Sequence, residues 1–204
     1  MTLRALDLFC GGGGASAGLV RAGFDVTGVD LHPQPQYPYR FVRADWREVN
    51  LRGYDFVWAS PPCQAHTQLR GLGKAKPDDV DHIPAVRAAL RACGAPWCIE
   101  NVLGAPLLSP VTLCGSMFGL DVRRHRLFEA SFPIRPLACK CRGRRNIAVY
   151  SKRPRDRLPD GVIRARDVEH GRQAMGIDWL DWRGLTQAIP PAYSEYVARE
   201  LLRR

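Results

Sequence analysis

Short apolar runs, most of them ending in a polar or glycine-rich break, recur along the first 128 residues of this chain. Runs of this length between turn residues predict buried strands, and the spacing of apolar residues between some of them predicts helices. The predicted strands are residues 4–9, 25–29, 40–43, 54–59 and 96–102, and the predicted helices are residues 15–22 and 82–93. We expect Leu19 and Val20 of the first helix to face inward. This alternation predicts an α/β fold built on a doubly wound, mostly parallel sheet.

The pattern changes after Phe128, where arginine, proline and glycine become frequent and the periodicity fades. Residues 129–170 hold eleven Lys or Arg against five acids, which is most of the formal net charge of +10. Clustered positive charge favours a nucleic-acid surface, whereas a solvated and partly disordered loop is the alternative. A strand candidate over residues 146–150 argues against full disorder.

Apolar residues regain a helical spacing over residues 194–202, near the end of the chain. The residues predicted to share one face of this helix are Tyr196, Val197, Leu201 and Leu202. We expect Trp179 and Trp182 to pack against the same helix.

The seven cysteines are odd in number, and the chain begins directly with a predicted strand instead of a signal peptide. No apolar run is long enough to span a bilayer, so we expect a cytoplasmic protein with free thiols and no membrane partner. Cys139 and Cys141 could form half of a metal site, with Cys114 or His170 as further ligands. Because a lone Cys-x-Cys pair is weak support for a metal, we favour free thiols and predict no metal.

A glycine-rich loop, residues 10–14, separates the first predicted strand from the first predicted helix. Glycine lets a ligand approach the backbone closely, and the first amides of the helix face that ligand. Asp30 ends the second predicted strand, where a carboxylate can accept both ribose hydroxyls, and Asp45 follows the third, where it can accept an adenine amino group. These features predict a nucleoside-bearing cofactor, and the lack of a G-x-G-x-x-G spacing favours S-adenosylmethionine over NAD.

Cys63 follows a predicted strand directly, after two prolines that stiffen the backbone and fix the direction of the thiol. Glu100 lies near the end of the next apolar strand. Because open α/β sheets bind ligands at the carboxyl ends of their strands, a thiol and a carboxylate placed there suggest covalent catalysis with acid assistance.

Six segments of the chain carry motifs that occur in the same order in one enzyme family. They are residues 7–14 (DLFCGGGG), 62–64 (PCQ), 100–102 (ENV), 124–126 (RHR), 174–176 (AMG) and 188–191 (AIPP). In these segments the chain resembles the DNA (cytosine-5)-methyltransferases. It departs from them at Val122, where the family has Gln, at Gln187, where the family has Asn, and in a shorter recognition region.

The resemblance implies transfer of a methyl group from S-adenosylmethionine to C5 of cytosine in double-stranded DNA, which leaves S-adenosylhomocysteine. Cys63 would add to C6 of a base flipped out of the stack, and Glu100 would hold or protonate N3. Arg124 would contact the base or hold the adduct, with Arg126 in support. The implied cofactor-binding residues are Phe9, Gly11, Gly13, Asp30, Asp45 and Pro62.

The resemblance also implies a mobile loop over residues 65–80 that closes on the flipped base, with Gly71 and Gly73 as hinges. The residues expected to contact DNA are Gln64, Arg70, Lys74, Lys76, Arg142, Arg144 and Arg145. An exposed loop whose charges only aid solubility is the alternative for residues 65–80.

The implied organisation is a Rossmann-like catalytic and cofactor-binding domain over residues 1–128 with a small basic insertion. Residues 129–170 would form a reduced target-recognition region, and residues 171–204 would return to the catalytic domain. We expect a monomer in a bacterial or phage-infected cell, with a target site of about two to four base pairs. Two alternatives stay open: cytosine-5 methylation of RNA, and a cofactor- and DNA-binding protein without catalysis.

Overall fold

The structure is a computed structural model, and it describes residues 2–66, 80–150 and 161–204. The strands are β1 (Arg4–Leu8), β2 (Asp25–Asp30), β3 (Arg40–Arg43), β4 (Phe56–Ala59), β5 (Trp97–Asn101), β6 (Val111–Leu113), β7 (Arg126–Ala130), β8 (Asn146–Ala148) and β9 (Val162–Arg164). The helices are α1 (Gly14–Arg21), α2 (Ile83–Ala92), α3 (Val168–Met175), α4 (Trp182–Gln187) and α5 (Pro191–Leu202). Arg70, Lys74, Lys76 and the two hinge glycines fall outside the described residues.

The first seven strands form one sheet in the order β3-β2-β1-β4-β5-β7-β6. Strands β1 to β5 pair in parallel, and β7 runs antiparallel to β5 and to β6. From β1 the chain proceeds outward to β2 and β3, and then crosses to β4 on the other side of β1. The carboxyl ends of β1 and β4 therefore flank the point where the strand order reverses, which is where such sheets bind ligands.

Helices cover both faces of this sheet. On one face, Leu19 of α1 and Tyr193 and Val197 of α5 are buried against Phe56 and Trp58 of β4. On the other face, the buried side of α2 packs against β1 and β5; the α2 residues in this cluster are Ile83, Val86 and Leu90. The predicted α/β fold with a mostly parallel, doubly wound sheet is confirmed.

A second, smaller core gathers β8, β9, α3 and α4 around Met175 and Ile177. Val122 is fully buried in this core and forms a parallel bridge with Ile147. The large core continues beyond residue 128, because β7 runs through Ala130 and both Phe132 and Ile134 pack in it.

Three side-chain predictions for the helices are wrong. Val20 is 38% exposed rather than inward-facing, because the buried face of α1 is made of smaller residues. Leu202 is 43% exposed, since the buried face of α5 includes Ser194 and Ala198 and does not extend to this residue. Trp179 and Trp182 pack in the smaller core and not against α5.

Within the described residues, we find no helix with the length and apolarity needed to cross a membrane.

Candidate active site

The glycine-rich loop turns sharply between β1 and α1. Phe9, Gly11 and Gly13 have φ angles of 60°, 49° and 86°, in the left-handed region that glycine tolerates best. The amide of Gly11 donates to Oδ2 of Asp30 over 3.0 Å, which ties the loop to the end of β2. A Cβ atom added to Gly11 would meet nothing within 4 Å, so this side of the loop is open to a ligand.

Asp7 lies beneath this loop, completely buried. The hydroxyl of Ser16 donates to Oδ2 of Asp7 over 2.5 Å and is 2.7 Å from the hydroxyl of Tyr37. Oδ1 of Asp7 is buried without a hydrogen-bond partner. Burial raises the pKa of Asp7 to about 7, although hydrogen bonds from Ser16 lower it.

Aromatic side chains stand beside the loop at the carboxyl ends of β1 and β3. The Phe9 ring lies 6.1 Å from that of Trp46 and 6.2 Å from that of His82. Asp45 caps the short 3₁₀ turn that contains Trp46 and accepts hydrogen bonds from the Arg47 backbone and guanidinium. These bonds lower the pKa of Asp45 to about 2, so its oxygens are acceptors at neutral pH.

Cys63 lies just beyond the end of β4, where its backbone is held from two directions. Asn101 donates from Nδ2 to the carbonyl of Pro61 over 2.9 Å, and the amide of His66 donates to the carbonyl of Cys63 over 2.9 Å. The Cys63 side chain is partly buried, as is neighbouring Pro62. Burial raises the pKa of the Cys63 thiol, the positive charge of Arg126 lowers it, and the negative charge of Glu100 raises it.

Glu100 is the charged side chain that β5 brings to the same edge, and it is 7% exposed. Its Oε1 lies 3.3 Å from Nε of Arg126, at the start of β7, which pairs with β5. Burial raises the pKa of Glu100, whereas Arg126 and a hydrogen bond from Ser60 lower it. Glu100 is thus a buried carboxyl that can hold a proton beside a thiol.

Arg124 and Arg126 lie in different surroundings, although the positive charge of each lowers the pKa values of Cys63 and Glu100, which burial raises. The Arg124 guanidinium is buried and donates to the carbonyls of Val149, over 3.2 Å, and Thr186, over 2.8 Å. Burial and the charge of Arg126 lower the pKa of Arg124 to about 9. Arg126 is therefore the arginine paired with Glu100, and Arg124 joins the large core to the segments after β8 and in α4.

The predicted DNA-contacting residues that the structure describes lie in two segments of the chain. Gln64 is exposed beside Cys63, and Arg142, Arg144 and Arg145 are exposed before β8. A cleft of about 380 Å³ lies next to this second group; its lining residues are Asp121, Arg145, Ile147, Ile163, Arg166 and His170.

Four residues of the site were not found by sequence reasoning: Tyr37, Trp46, Ser60 and Asn101. Trp46 follows Asp45 and Asn101 follows Glu100, so their positions beside predicted residues were the available signal. Trp179 also contributes, because its Nε1 donates to the carbonyl of Gly12 over 2.8 Å. No local pattern indicates that contact, which joins residues 167 positions apart.

No protein-family model matches the chain. Part of the chain is homologous to the Type II methyltransferase M1.HphI of Haemophilus parahaemolyticus, at 32% identity over 96 residues. The match covers 39% of this chain and 26% of that protein, so the chain spans about a quarter of the relative's length.

Solved structures of methyltransferases share the whole fold. An Escherichia coli protein assigned as a DNA modification methyltransferase encoded within a prophage aligns with a TM-score of 0.66 at 14% identity, covering 99% of each chain. The S. pombe Dnmt2 methyltransferase aligns with a TM-score of 0.64 at 14% identity, covering 98% of this chain and 99% of that one. Entamoeba histolytica methyltransferase EhMeth aligns with a TM-score of 0.62 at 10% identity, covering 100% and 98%. At these identities the likeness establishes the Rossmann-like methyltransferase fold alone.

Proposed function

We propose that this protein transfers the methyl group of S-adenosylmethionine to C5 of cytosine in DNA through a covalent bond between Cys63 and C6 of the base. The observation that carries the proposal is the meeting of a thiol, a buried carboxyl and a guanidinium at one end of the sheet, from Cys63, Glu100 and Arg126. The partial homology to a type II methyltransferase supports the general reaction.

The residues around the glycine-rich loop fit S-adenosylmethionine. Each Asp30 oxygen accepts one backbone N–H, which leaves lone pairs for ribose hydroxyls. Phe9 and Trp46 offer aromatic surface for an adenine ring, and Nε1 of Trp46 is a buried donor without a partner. Asp45 keeps acceptor capacity for the adenine amino group, and the open space beside Gly11 can admit the remainder of the molecule.

The chain's own residues account for the proton and electron movements. The Cys63 thiolate adds to C6 while Glu100 holds a proton at N3, so negative charge does not accumulate on the ring. S-adenosylmethionine, when bound, supplies an electrophilic methyl group, which C5 attacks. Loss of the C5 proton to a base then re-forms the C5–C6 double bond and expels the Cys63 thiolate.

Arg126 serves this chemistry through charge. Its guanidinium favours the thiolate form of Cys63 and holds the Glu100 carboxyl in place. Burial raises the pKa values of both Cys63 and Glu100, which shifts each group towards its protonated form. The Cys63 thiol must lose its proton as the base binds, and Glu100 in its protonated form would supply the proton at N3.

RNA is the second candidate substrate, because the same chemistry operates on cytosine in a structured RNA and the surface charge does not distinguish the two. A protein that binds cofactor and DNA without catalysis is the third. The intact set of Cys63, Glu100 and Arg126 favours an enzyme over this last alternative.

Trapping with 5-fluorocytosine tests the proposal directly. Duplex DNA containing 5-fluorocytosine should form a covalent, denaturation-resistant adduct in the presence of S-adenosylmethionine, because fluorine cannot leave C5 as a proton does. Cys63→Ser should form no adduct and should retain the thermal stabilisation by S-adenosylmethionine that a binding protein shows. Nucleoside analysis of ordinary duplex DNA should reveal 5-methylcytosine.

Cys93→Ser is the matched control, because Cys93 lies at the end of α2, where its thiol donates to the carbonyl of Leu90. This variant should form the adduct at the wild-type rate. Formation of the adduct on structured RNA but not on DNA would identify RNA as the substrate. Stabilisation by S-adenosylmethionine without adduct on either substrate would overturn it in favour of a binding protein.

A further inference from the structure

Four potential metal ligands converge outside the candidate active site: Cys114, His125, Cys139 and Cys141. One ligand atom from each residue lies within 4.8 Å of the corresponding atoms of the other three. The four come from three separate parts of the chain: the residue after β6, the residue before β7, and a Cys-x-Cys pair. The sequence alone favoured free thiols and offered Cys114 or His170 as the possible further ligands. In the structure Cys114 and His125 join Cys139 and Cys141, whereas Nδ1 of His170 accepts from the amide of Arg166.

The distances in this cluster match those of a metal site. Sγ of Cys139 lies 3.3 Å from Sγ of Cys141 and 3.4 Å from Nε2 of His125, which is 3.7 Å from Sγ of Cys141. A tetrahedral Zn²⁺ site, with Zn–S near 2.3 Å and Zn–N near 2.0 Å, separates two sulfurs by about 3.8 Å and a sulfur from a nitrogen by about 3.6 Å. The three ligands therefore need to move by only a few tenths of an ångström to surround one ion.

The surroundings of the cluster suit a structural site. Cys114 and Cys141 are buried, His125 is half-buried and Cys139 is exposed, so one side admits an ion from solvent. The hydroxyl of Ser116 lies 3.5 Å from Sγ of Cys139 and 3.7 Å from Sγ of Cys114, and accepts the amide of Lys140 over 3.1 Å. Such outer contacts orient ligands around a metal.

We propose that Cys114, His125, Cys139 and Cys141 bind one structural Zn²⁺ ion. Four protein ligands close the coordination shell, which is the arrangement of structural rather than catalytic zinc. Three thiolates and one imidazole select Zn²⁺ over the hard cations Mg²⁺ and Ca²⁺, which take oxygen ligands. All seven cysteines are free thiols in the structure, so no disulfide competes within the cluster.

Binding would fasten the basic insertion to the sheet. His125 lies between Arg124 and Arg126, so an ion held by it would also restrain the backbone of both arginines. The consequence for catalysis rests on the proposed function, whereas the metal site itself does not.

Metal analysis of the full-length protein tests the site. Protein produced in zinc-supplemented medium and purified under reducing conditions without chelator should carry one zinc per chain. X-ray absorption should show three sulfurs at about 2.3 Å and one nitrogen at about 2.0 Å. Co²⁺ exchanged into the site should give the visible d–d bands of a tetrahedral complex and thiolate-to-metal charge-transfer bands.

Cys141→Ser and His125→Ala should each lose zinc or hold it with at least tenfold lower affinity, and Cys93→Ser should keep one zinc per chain. Circular dichroism of each variant separates loss of a ligand from loss of the fold. Folded wild-type protein that retains no stoichiometric zinc would overturn the proposal. The same conclusion would follow from a Cys139–Cys141 disulfide in freshly purified protein, or from zinc held equally by Cys141→Ser.

Discussion

Arg124 and Arg126, which one residue separates in the sequence, have different environments. We therefore expect substitution of Arg126 to affect the reaction more and substitution of Arg124 to affect stability more. Arg126→Gln removes the cation beside Cys63 and Glu100. We expect turnover to fall by about 10²-fold to 10³-fold, the effect of removing one charge-stabilising donor. Glu100 can take up a proton when its partner is lost, so the cost to stability should be the smaller effect. Single-turnover methylation and denaturant unfolding measure the two effects.

Arg124→Gln is the companion variant. It leaves the buried carbonyls of Val149 and Thr186 without their charged donor, so the free energy of unfolding should fall by about 1–3 kcal/mol. A larger loss of turnover in folded Arg124→Gln than in Arg126→Gln would reverse the assignment.

The raised pKa of Asp7 predicts how the stability of the protein depends on pH. Its pKa is raised to about 7 in the folded state, so the folded protein binds a proton that the unfolded chain has lost between pH 4 and pH 7. The contribution of Asp7 to the free energy of unfolding is full below pH 4 and is lost as the pH rises towards 7. Asp7→Asn removes this titration, so the variant should gain relative stability across that interval, by about 1.4 kcal/mol per pH unit at most.

Denaturant unfolding of the wild type and Asp7→Asn at matched pH values measures the difference between their free energies of unfolding. Other titrating groups contribute equally to both proteins, so their contributions cancel in this difference. Asp25→Asn is the control, because Asp25 is partly exposed and lies 3.8 Å from Arg40 at the surface. Its stability should run parallel to that of the wild type. A difference between Asp7→Asn and wild type that stays constant from pH 4 to pH 8 would contradict a shifted Asp7.

At the scale of elements, the parallel strands were predictable because most of them are short apolar runs followed by a break. The positions of Cys63 and Glu100 followed from the same pattern, since parallel neighbours end at one edge of the sheet. The buried face of α5 was not predictable from its own residues. It is set by α1, where a Cβ on Gly18 would lie 2.0 Å from the carbonyl oxygen of Pro191.

The close packing of α1 against α5 explains why the hydrophobic pattern of α5 did not predict its buried face. Ser194 donates to the carbonyl of Ala15 over 2.7 Å, so a polar residue occupies a fully buried position of the interface. Leu202 lies beyond the contact and is exposed. His125 was missed as a metal-ligand candidate for a similar reason, because only tertiary structure brings it to Cys139 and Cys141.

At the scale of the whole molecule, the exposed arginines before β8 and the candidate active site lie on different elements. Arg142, Arg144 and Arg145 precede β8 of the two-stranded sheet, whereas Cys63 follows β4 and Glu100 lies in β5 of the seven-stranded sheet. Arg124 connects the two, since its side chain donates to residues outside the sheet and its own carbonyl accepts the Tyr193 hydroxyl of α5 over 2.6 Å. A DNA duplex held by the insertion could therefore be kept in register with Cys63.

The salt dependence of DNA binding tests whether the insertion holds the duplex. Arg142 and Arg144 flank Gly143, whose φ of 72° forms a turn, and both side chains are exposed there. If each contacts a phosphate, Arg142→Gln/Arg144→Gln should reduce the slope of log K against log [salt] by about 2, because each contact contributes about one unit. Arg52→Gln/Arg91→Gln removes the same charge from exposed positions before β4 and in the last turn of α2, and should leave the slope within about half a unit of wild type. Fluorescence anisotropy with one duplex across a salt series measures both slopes, and equal slopes for the two double variants would place the duplex elsewhere on the protein.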